Sequence, residues 1–314
     1  MINISKKELE KLLDYNNLIT GLKKAFQEDY QVPVRHHHNY DNPKEEKEST
    51  LLLMPAWQVG QYLGVKLITV SPENGKYNLP SIHGIYTLFD AHQGMPLAQL
   101  DARTLTNLRT AATSALASSF LSKENSSRLL MVGTGALAPE LIKAHVAVRP
   151  IQKVVVWGRD FEKAKLICEQ FADSDFEIFP IKTIEEGIKK VDIISCATLS
   201  SQPLVHGASL HVGQHLDLVG AFKPDMREAD DLAVQRSSVF VDTYDGLKES
   251  GDIFQPLESG LLKREDIRAD LFELCKNEKL GRKNNEEITF FKSVGHALED
   301  LAAAKLAYEK LKHQ

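Results

Sequence analysis

The sequence has few cysteines and no excess of positive charge. Its 314 residues contain only Cys168, Cys196 and Cys275, which lie far apart and are odd in number. This usage gives no support for a disulfide framework or a zinc site and favours buried, unpaired thiols. Lysine and arginine number 38 against 43 aspartates and glutamates, a net charge of −5. Without a basic excess to attract nucleic acid, a small-molecule ligand is favoured.

The sequence also lacks a continuous apolar run of signal-peptide or membrane-spanning length. Its first eight residues already mix charged and apolar side chains. We therefore expect a cytoplasmic protein without a membrane partner. A chain of 314 residues exceeds the usual size of one hydrophobic core, so two domains are expected.

The first third of the chain predicts an α+β domain. Leucines at helical spacing predict an amphipathic helix over residues 6–30, and the polar run 33–49 predicts an exposed loop. Short β-branched or aromatic runs predict strands over 50–54, 62–70, 82–89 and 96–100. Their short turns favour a mostly antiparallel sheet. A run without glycine or proline predicts a helix over 104–121.

The middle of the chain predicts a different kind of sheet. Apolar runs at 129–132, 154–157, 176–179, 192–196, 216–219 and 239–242 alternate with helix-length segments, which is typical of a parallel α/β sheet. Thr183 and Glu186 form a capping box before a helix over 184–190. A last helix, 294–311, is expected to return to the first domain.

The predicted architecture is therefore α/β, with a Rossmann-type doubly wound parallel sheet inserted into a discontinuous α+β domain. The outer domain, residues 1–121 plus 290–314, is expected to bind the substrate and to dimerise. The inserted domain, residues 122–289, is expected to bind a dinucleotide.

The most informative motif is a G-x-G-x-x-A pattern that follows a predicted strand and opens a predicted helix. Gly133 suits the tight turn, Gly135 admits the pyrophosphate, and Ala138 permits close helix packing. The intervening residues Thr134, Ala136 and Leu137 are expected to contact the cofactor as well, since the helix N-terminus offers free N–H groups to phosphate. The alternative is a glycine-rich turn without a ligand.

The end of the second predicted parallel strand bears on cofactor choice. An NAD enzyme usually carries an acid there for the ribose 2′-hydroxyl, and the matching position is Gly158. Arg159 follows, and a guanidinium would neutralise the 2′-phosphate of NADPH. NADPH is therefore favoured, although NADH stays possible because Asp160 is only one position further.

Two basic residues lie in apolar surroundings. Lys66 interrupts a strand that otherwise looks buried, so it either reaches water at a sheet edge or faces a pocket with an anion or a reactive centre. A desolvated lysine can exchange protons near neutral pH. Arg109 borders the apolar stripe of its helix and is either a surface arginine or a bidentate clamp for a carboxylate.

The polar segment before the first strands holds two weaker candidates. Arg35 is a further possible ligand for an anionic substrate. The run His36-His37-His38 could suggest a metal, but consecutive loop residues seldom ligate one ion and no carboxylate spacing supports it. We therefore expect no metal site.

With these residues considered, the sequence resembles the ornithine cyclodeaminase/μ-crystallin family. The resemblance runs from Arg35 to the C-terminal helix and is carried by matched segments that include residues 33–35, 64–67, 79–81, 108–112, 132–135, 156–159, 248–252 and 291–295. It implies that Arg35, Lys66 and Arg109 bind the amino or imino acid and that protomers form a homodimer through the first domain. It also implies that further residues lie near the nucleotide, namely Ser81, Thr110, Thr198, Val219, Lys292 and Ser293.

One departure from the family pattern bears on the reaction. Cyclodeaminases carry an aspartate where this sequence has Phe222, and Asp225 could replace it only through a change of register. The stretch 220–228 resembles reductases of cyclic ketimines. We therefore expect NAD(P)H-dependent reduction of Δ1-pyrroline-2-carboxylate or Δ1-piperideine-2-carboxylate to L-proline or L-pipecolate, within proline metabolism. The alternatives are an ornithine cyclodeaminase, an alanine dehydrogenase and a non-catalytic NADPH-dependent binding protein.

Overall fold

The chain divides into two compact units. A computed structural model describes residues 1–313. Unit 1 contains Met1–Arg109 and the segment that starts at His296, and unit 2 contains Thr110–Gly295. The first boundary therefore lies inside a helix, between Arg109 and Thr110.

Unit 1 is built on a six-stranded sheet with the order β1-β6-β5-β4-β3-β2. Every pairing in this sheet is antiparallel except that of β1 with β6. Helix α10 packs against α2 and against the strands β3, β4 and β5. The elements are β1 (Ile2–Ile4), α1 (Lys6–Leu12), α2 (Tyr15–Gln27), β2 (His36–Tyr40), β3 (Ser49–Trp57), β4 (Tyr62–Val70), β5 (Ile82–Asp90), β6 (Pro96–Asp101), the first part of α3 (Ala102–Leu121), and α10 (Ala297–Lys312).

The N-terminal helical segment is two helices, so the prediction of a single helix over residues 6–30 is wrong. The break lies between Leu12 and Tyr15, where the Asp14 side chain accepts a hydrogen bond from the backbone N–H of Asn17 at 3.0 Å. An aspartate at this position satisfies an N–H that would otherwise lack a partner at the start of a helix. The leucine spacing continues through the break and therefore does not reveal it.

The polar segment 33–49 is not wholly a loop, and this prediction is also wrong. His36–Tyr40 form β2, an edge strand that pairs with Ser49, Thr50 and the residues that follow them on β3. All five β2 residues are exposed. Because neither face of this strand is buried, its sequence carries no apolar alternation, which is the usual sign of a strand.

Unit 2 is built on an eight-stranded sheet with the order β13-β12-β14-β11-β10-β7-β8-β9, and its strand pairs are parallel. This confirms the predicted α/β fold class. Its elements are the remainder of α3, β7 (Arg128–Val132), α4 (Ala138–Val148), β8 (Lys153–Trp157), α5 (Phe161–Glu169), β9 (Glu177–Pro180), α6 (Ile184–Ile188), β10 (Ile193–Cys196), β11 (His215–Leu218), α7 (Asp231–Gln235), β12 (Ser238–Val241), α8 (Gly251–Glu258), β13 (Ile267–Asp270), α9 (Leu271–Cys275) and β14 (Thr289–Lys292).

The unit boundaries differ from those expected at 121/122 and 289/290. The C-terminal part of α3 belongs to unit 2, because Arg149 donates hydrogen bonds to the carbonyl oxygens of Ser118 and Ser122. The segment 289–292 is a strand of the unit 2 sheet that pairs with β11 and β12. The sequence analysis missed β1, β13 and β14, which are only three or four residues long.

The predicted start of α6 is confirmed. The Thr183 hydroxyl accepts a hydrogen bond from the backbone N–H of Glu186, although the helix ends at Ile188 rather than at residue 190. Within residues 1–313, no helix is long and apolar enough to cross a membrane.

Candidate active site

The glycine-rich turn of unit 2 has the geometry that the motif predicts. It joins β7 to α4, and Gly133 has a φ of +122°, which L side chains rarely adopt. A Cβ at Gly133 would lie 2.6 Å from the carbonyl oxygen of Ala197, so only glycine fits there. Open space lies above Gly135, where no atom stands within 4 Å of an added Cβ. The turn thus leaves room for a phosphate before the N-terminus of α4.

This turn borders a cavity of about 310 Å³. That volume is at the lower end of the range for small-molecule sites, about 300–1,000 Å³. Most of the lining residues lie at or just after the carboxyl ends of β7, β8 and β10, where open parallel sheets bind ligands. They are Gly133, Thr134, Gly135, Trp157, Gly158, Arg159, Asp160, Lys163, Ala197, Thr198, Leu199, Ser200 and Leu204.

The residues that follow β8 contribute charged side chains to this cavity. A Cβ at Gly158 would lie 2.5 Å from Cγ2 of Thr134, so a larger side chain at that position would require the Thr134 side chain to move. The Asp160 carboxylate instead caps α5, accepting hydrogen bonds from the backbone N–H groups of Glu162 and Lys163. Arg159 is exposed and lines the cavity. This wall therefore offers the Arg159 guanidinium beside the Asp160 carboxylate, whose Oδ1 is engaged by the N-terminus of α5.

Unit 1 contains a buried cluster of opposite charges. Lys66 lies on β4, which is flanked by β3 and β5, so the edge-strand alternative for this lysine is wrong. Lys66 Nζ lies 2.6 Å from Oδ2 of Asp300. Arg109 on α3 donates from Nε to Oδ1 of Asp300 at 3.0 Å and from Nη1 to Oε2 of Glu299 at 2.6 Å. Lys66 and Arg109 are only 3% and 5% exposed, so Arg109 is not a surface residue.

The electrostatics of this cluster set Lys66 apart. Burial lowers the pKa of Lys66 to about 8, Asp300 opposes that shift, and Arg109 and Arg35 reinforce it. Burial also acts against the charged form of Arg109, but Asp300 and Glu299 outweigh it and keep the pKa of Arg109 above its usual value. Lys66 is therefore the cation of this cluster whose pKa is shifted toward neutral pH.

Several predicted residues lie together. Lys66 and Arg109 share the Asp300 carboxylate, and Arg35 is close enough to affect the pKa of Lys66. Of the predicted cofactor residues, Gly133, Thr134, Gly135, Arg159 and Thr198 line one cavity. Ala136 and Leu137 continue the same turn into α4. Their contact with a ligand stays a prediction.

Other predicted residues do not line this cavity. Ser81 is exposed before β5, whereas Thr110 is buried on α3. Val219 follows β11 and donates its backbone N–H to the carbonyl of Cys196. Lys292 is buried in an ion pair with Asp252, and the Ser293 hydroxyl donates to Asp242.

Sequence reasoning missed the acidic partners in unit 1 and part of the cavity wall in unit 2. Glu299 and Asp300 stand in the first turn of α10, where the helix dipole favours negative charge, and nothing in the local sequence pairs them with Lys66 or Arg109. Lys163 and Ser200 line the cavity without any sequence signal of their own. Among residues 1–313, no group of three or more His, Cys, Asp or Glu side chains could hold a metal ion.

Comparisons with known proteins agree with these features. The family model described as ornithine cyclodeaminase/mu-crystallin matches residues 3–314. The Arabidopsis thaliana protein SAR DEFICIENT 4 is 44% identical over 88% of this chain and 86% of its own length. A Δ1-pyrroline-2-carboxylate reductase of Colwellia psychrerythraea is 37% identical over 98% of each chain.

The fold is also similar to that of a solved reductase structure. The Thermococcus litoralis Δ1-pyrroline-2-carboxylate reductase in complex with NADH and L-proline matches with a TM-score of 0.92 and 35% identity, covering 100% of this chain and 98% of that one. The likeness thus spans both units, including the sheet that carries Lys66 and the turn at Gly133. The chain belongs to the ornithine cyclodeaminase/mu-crystallin family.

Proposed function

We propose that this chain is an NADPH-dependent reductase of cyclic α-imino acids, which forms L-proline from Δ1-pyrroline-2-carboxylate or L-pipecolate from the six-membered ring. The observation that carries the proposal is that Lys66 and Arg109 are buried together and both pair with the Asp300 carboxylate. The chain that carries them is similar to a Δ1-pyrroline-2-carboxylate reductase. In this proposal unit 1 binds the substrate and unit 2 binds the dinucleotide. A homodimer formed through unit 1 and a cytoplasmic location stay predictions.

The residues of unit 2 fit a nicotinamide dinucleotide. The turn at Gly133 and Gly135 would hold the pyrophosphate against the N-terminus of α4, and Arg159 would hold the 2′-phosphate. When bound, the reduced nicotinamide supplies the hydride that adds to C2 of the imino acid. The protein contributes binding, orientation and proton management.

Lys66 and Arg109 supply the substrate chemistry in this proposal. The guanidinium of Arg109, assisted by Arg35, would bind the substrate carboxylate and orient the ring. Lys66 Nζ would donate the proton that the imine nitrogen needs, directly or through a water, because the iminium accepts hydride more readily than the neutral imine. One imine, one hydride and one proton give the cyclic secondary amine.

The rival reactions make different products. A cyclodeaminase needs a carboxylate where this chain has Phe222, which is exposed, and Asp225 is exposed as well. The test is a panel of cyclic imino acids with NADPH or NADH, beside L-ornithine with ammonia detection and pyruvate plus ammonia with reduced cofactor. Turnover of an imino acid supports the proposal, whereas turnover of only L-ornithine or only pyruvate contradicts it. Binding of NADPH without any turnover would favour the non-catalytic binding protein.

Cofactor preference is expected to depend on Arg159. Arg159→Ala should raise KM for NADPH by about tenfold to a hundredfold, because the 2′-phosphate loses a charge-assisted partner. KM for NADH should stay within about twofold, since NADH lacks that phosphate. Lys165→Ala is the matched control, because Lys165 is an exposed cation on α5, shortly after Arg159 in the chain, and pairs with Glu162. Equal changes in KM for the two cofactors would contradict the assignment.

The pH dependence of the reduction is expected to report Lys66. The pKa of Lys66 is lowered to about 8, so the ammonium form is present below that pH and is lost as the pH rises through it. The rate constant kcat should therefore fall above about pH 8, approaching tenfold per pH unit. Asp300→Asn should move this limb to lower pH, because the Asp300 charge raises the pKa of Lys66. Initial rates between about pH 6 and pH 10 check both expectations. A limb that does not move in Asp300→Asn would contradict the assignment to Lys66.

A further inference from the structure

Three buried charged side chains of unit 2 lie next to the wall of the dinucleotide cavity, and the proposed chemistry uses none of them. They are Glu228, Asp252 on α8 and Lys292 at the end of β14, with exposed fractions of 0%, 0% and 1%. Lys292 Nζ lies 3.2 Å from Oδ2 of Asp252 and 3.8 Å from Oε2 of Glu228. Burying charged groups is costly, and their mutual pairing offsets only part of that cost.

The Glu228 carboxylate joins two loops at the carboxyl edge of the sheet. Its Oε1 accepts hydrogen bonds from the backbone N–H of Thr198 at 2.7 Å and from the Thr198 hydroxyl at 2.9 Å. Its Oε2 accepts from the backbone N–H groups of Gly220 at 2.8 Å and Ala221 at 3.2 Å. Thr198 follows β10 and Gly220 follows β11, which are neighbouring strands. Four donated hydrogen bonds need both oxygens as acceptors, which is the ionised state.

The backbone of Glu228 is fixed from the opposite side. Oδ1 of Asp252 accepts hydrogen bonds from the backbone N–H groups of Glu228 at 2.8 Å and Ala229 at 3.1 Å. Glu228 does not itself line the cavity, but Thr198 does. Of the residues that donate hydrogen bonds to Glu228, Thr198 is the one that lines the cavity, so we expect Glu228 to act on a bound dinucleotide through Thr198.

We propose that Glu228 is a positioning residue for dinucleotide binding: its ionised carboxylate holds Thr198 in the cavity wall, and its protonation releases Thr198 and weakens binding. The inference rests on the proposed function, because it assumes that a dinucleotide occupies the cavity. A protonated carboxyl group turns one acceptor oxygen into a donor, which cannot face an N–H group.

The surroundings of Glu228 raise the pKa of its carboxyl group toward neutral pH. Burial raises the pKa of Glu228 to about 7, Lys292 opposes this shift, and Asp252 adds to it. Lys292 and Asp252 are the charged groups with the largest effect on Glu228, and the buried thiol of Cys196 at the end of β10 is influenced by Glu228, Asp217, Asp252 and Lys292. The hydrogen bonds that Thr198, Gly220 and Ala221 donate to ionised Glu228 are therefore complete above neutral pH and are lost as the pH falls through about 7.

The test compares dissociation constants of NADPH, measured by fluorescence titration, for the wild type and Glu228→Gln. At pH 8 the variant should bind about tenfold more weakly, since its amide nitrogen cannot accept the hydrogen bonds that the carboxylate accepts. At pH 6 the two proteins should agree within about twofold, because about nine-tenths of the wild type is then protonated and has lost the hydrogen bonds that the variant lacks. The 2′-phosphate also titrates near pH 6, but it does so equally with both proteins. Glu177→Gln, on the exposed edge of β9, should follow the wild type.

A second variant keeps the test decisive if Glu228→Gln does not fold. Asp252→Asn keeps the acceptor oxygen but removes a charge that raises the pKa of Glu228, so the midpoint of the pH dependence should move to lower pH. A ratio of affinities for the wild type and Glu228→Gln that is the same at both pH values, or an unmoved midpoint in Asp252→Asn, would overturn the inference. Absence of NADPH binding by the wild type at any pH would overturn the proposed function together with it.

Discussion

Replacement of Lys66 by alanine is expected to lower kcat for imino acid reduction by about a hundredfold to ten-thousandfold, the usual contribution of a positioned proton donor. The variant has no group at this position that can give a proton to the imine nitrogen. NADPH affinity should change little, because residues of unit 2 line the dinucleotide cavity. Steady-state kinetics combined with a fluorescence titration of NADPH separate the two quantities.

The design needs a control for loss of charge alone. Lys76→Ala removes an exposed lysine that pairs with Glu45 and Glu73 on the surface of unit 1, and it should leave kcat unchanged. Lys66→Arg keeps the positive charge beside Asp300 but replaces the titrating ammonium with a guanidinium that stays protonated. The limb above about pH 8 should then disappear. A Lys66→Ala protein with more than about half of the wild-type kcat would exclude Lys66 as the proton donor.

Replacement of Arg109 by alanine is expected to lower the free energy of unfolding by about 3–5 kcal/mol. Arg109 is the partner of both Glu299 and Asp300, whose side chains are 0% exposed. Its removal takes a cation away from both buried carboxylates. Urea unfolding followed by circular dichroism measures the loss.

The same loss should be partly recovered by neutralising Glu299. Arg109→Ala combined with Glu299→Gln should be more stable than Arg109→Ala alone, because a buried negative charge is gone while Asp300 still pairs with Lys66. Arg109→Lys tests the binding role with less damage. It keeps the charge but loses the planar fork, so KM for the imino acid should rise about tenfold or more. A free energy of unfolding for Arg109→Ala within about 1 kcal/mol of the wild type would contradict the ion-pair account.

The fold could be predicted where the chain's local pattern and its burial agree. The strands of unit 2 are buried on both faces, so β7, β8 and β10 stand out as short apolar runs, and the turn at Gly133 marks the start of α4. The edge strand β2 could not be found in this way, because both of its faces are exposed. Its pairing with β3 supplies the hydrogen bonds that its sequence does not signal.

The candidate site could be predicted only in part, for a related reason. Lys66 and Arg109 stand out because each interrupts an apolar surrounding. Their partner Asp300 is 234 residues from Lys66 and 191 from Arg109, and it stands on a helix whose pattern looks ordinary. Only the folded chain shows that these charges neutralise each other. The capping role of Asp160 could not be predicted either, because an aspartate before a helix can serve as an N-cap or as a cofactor ligand and the sequence does not distinguish the two.

The most direct test of the central claim follows the hydride itself. The protein is supplied with Δ1-pyrroline-2-carboxylate and NADPH carrying deuterium at C4 of the nicotinamide, on each face in turn, and the amino acid product is analysed by mass spectrometry. The account predicts L-proline with one deuterium at C2 from one of the two labelled cofactors. Proline without deuterium from both of them, or no proline while L-ornithine releases ammonia, would contradict it.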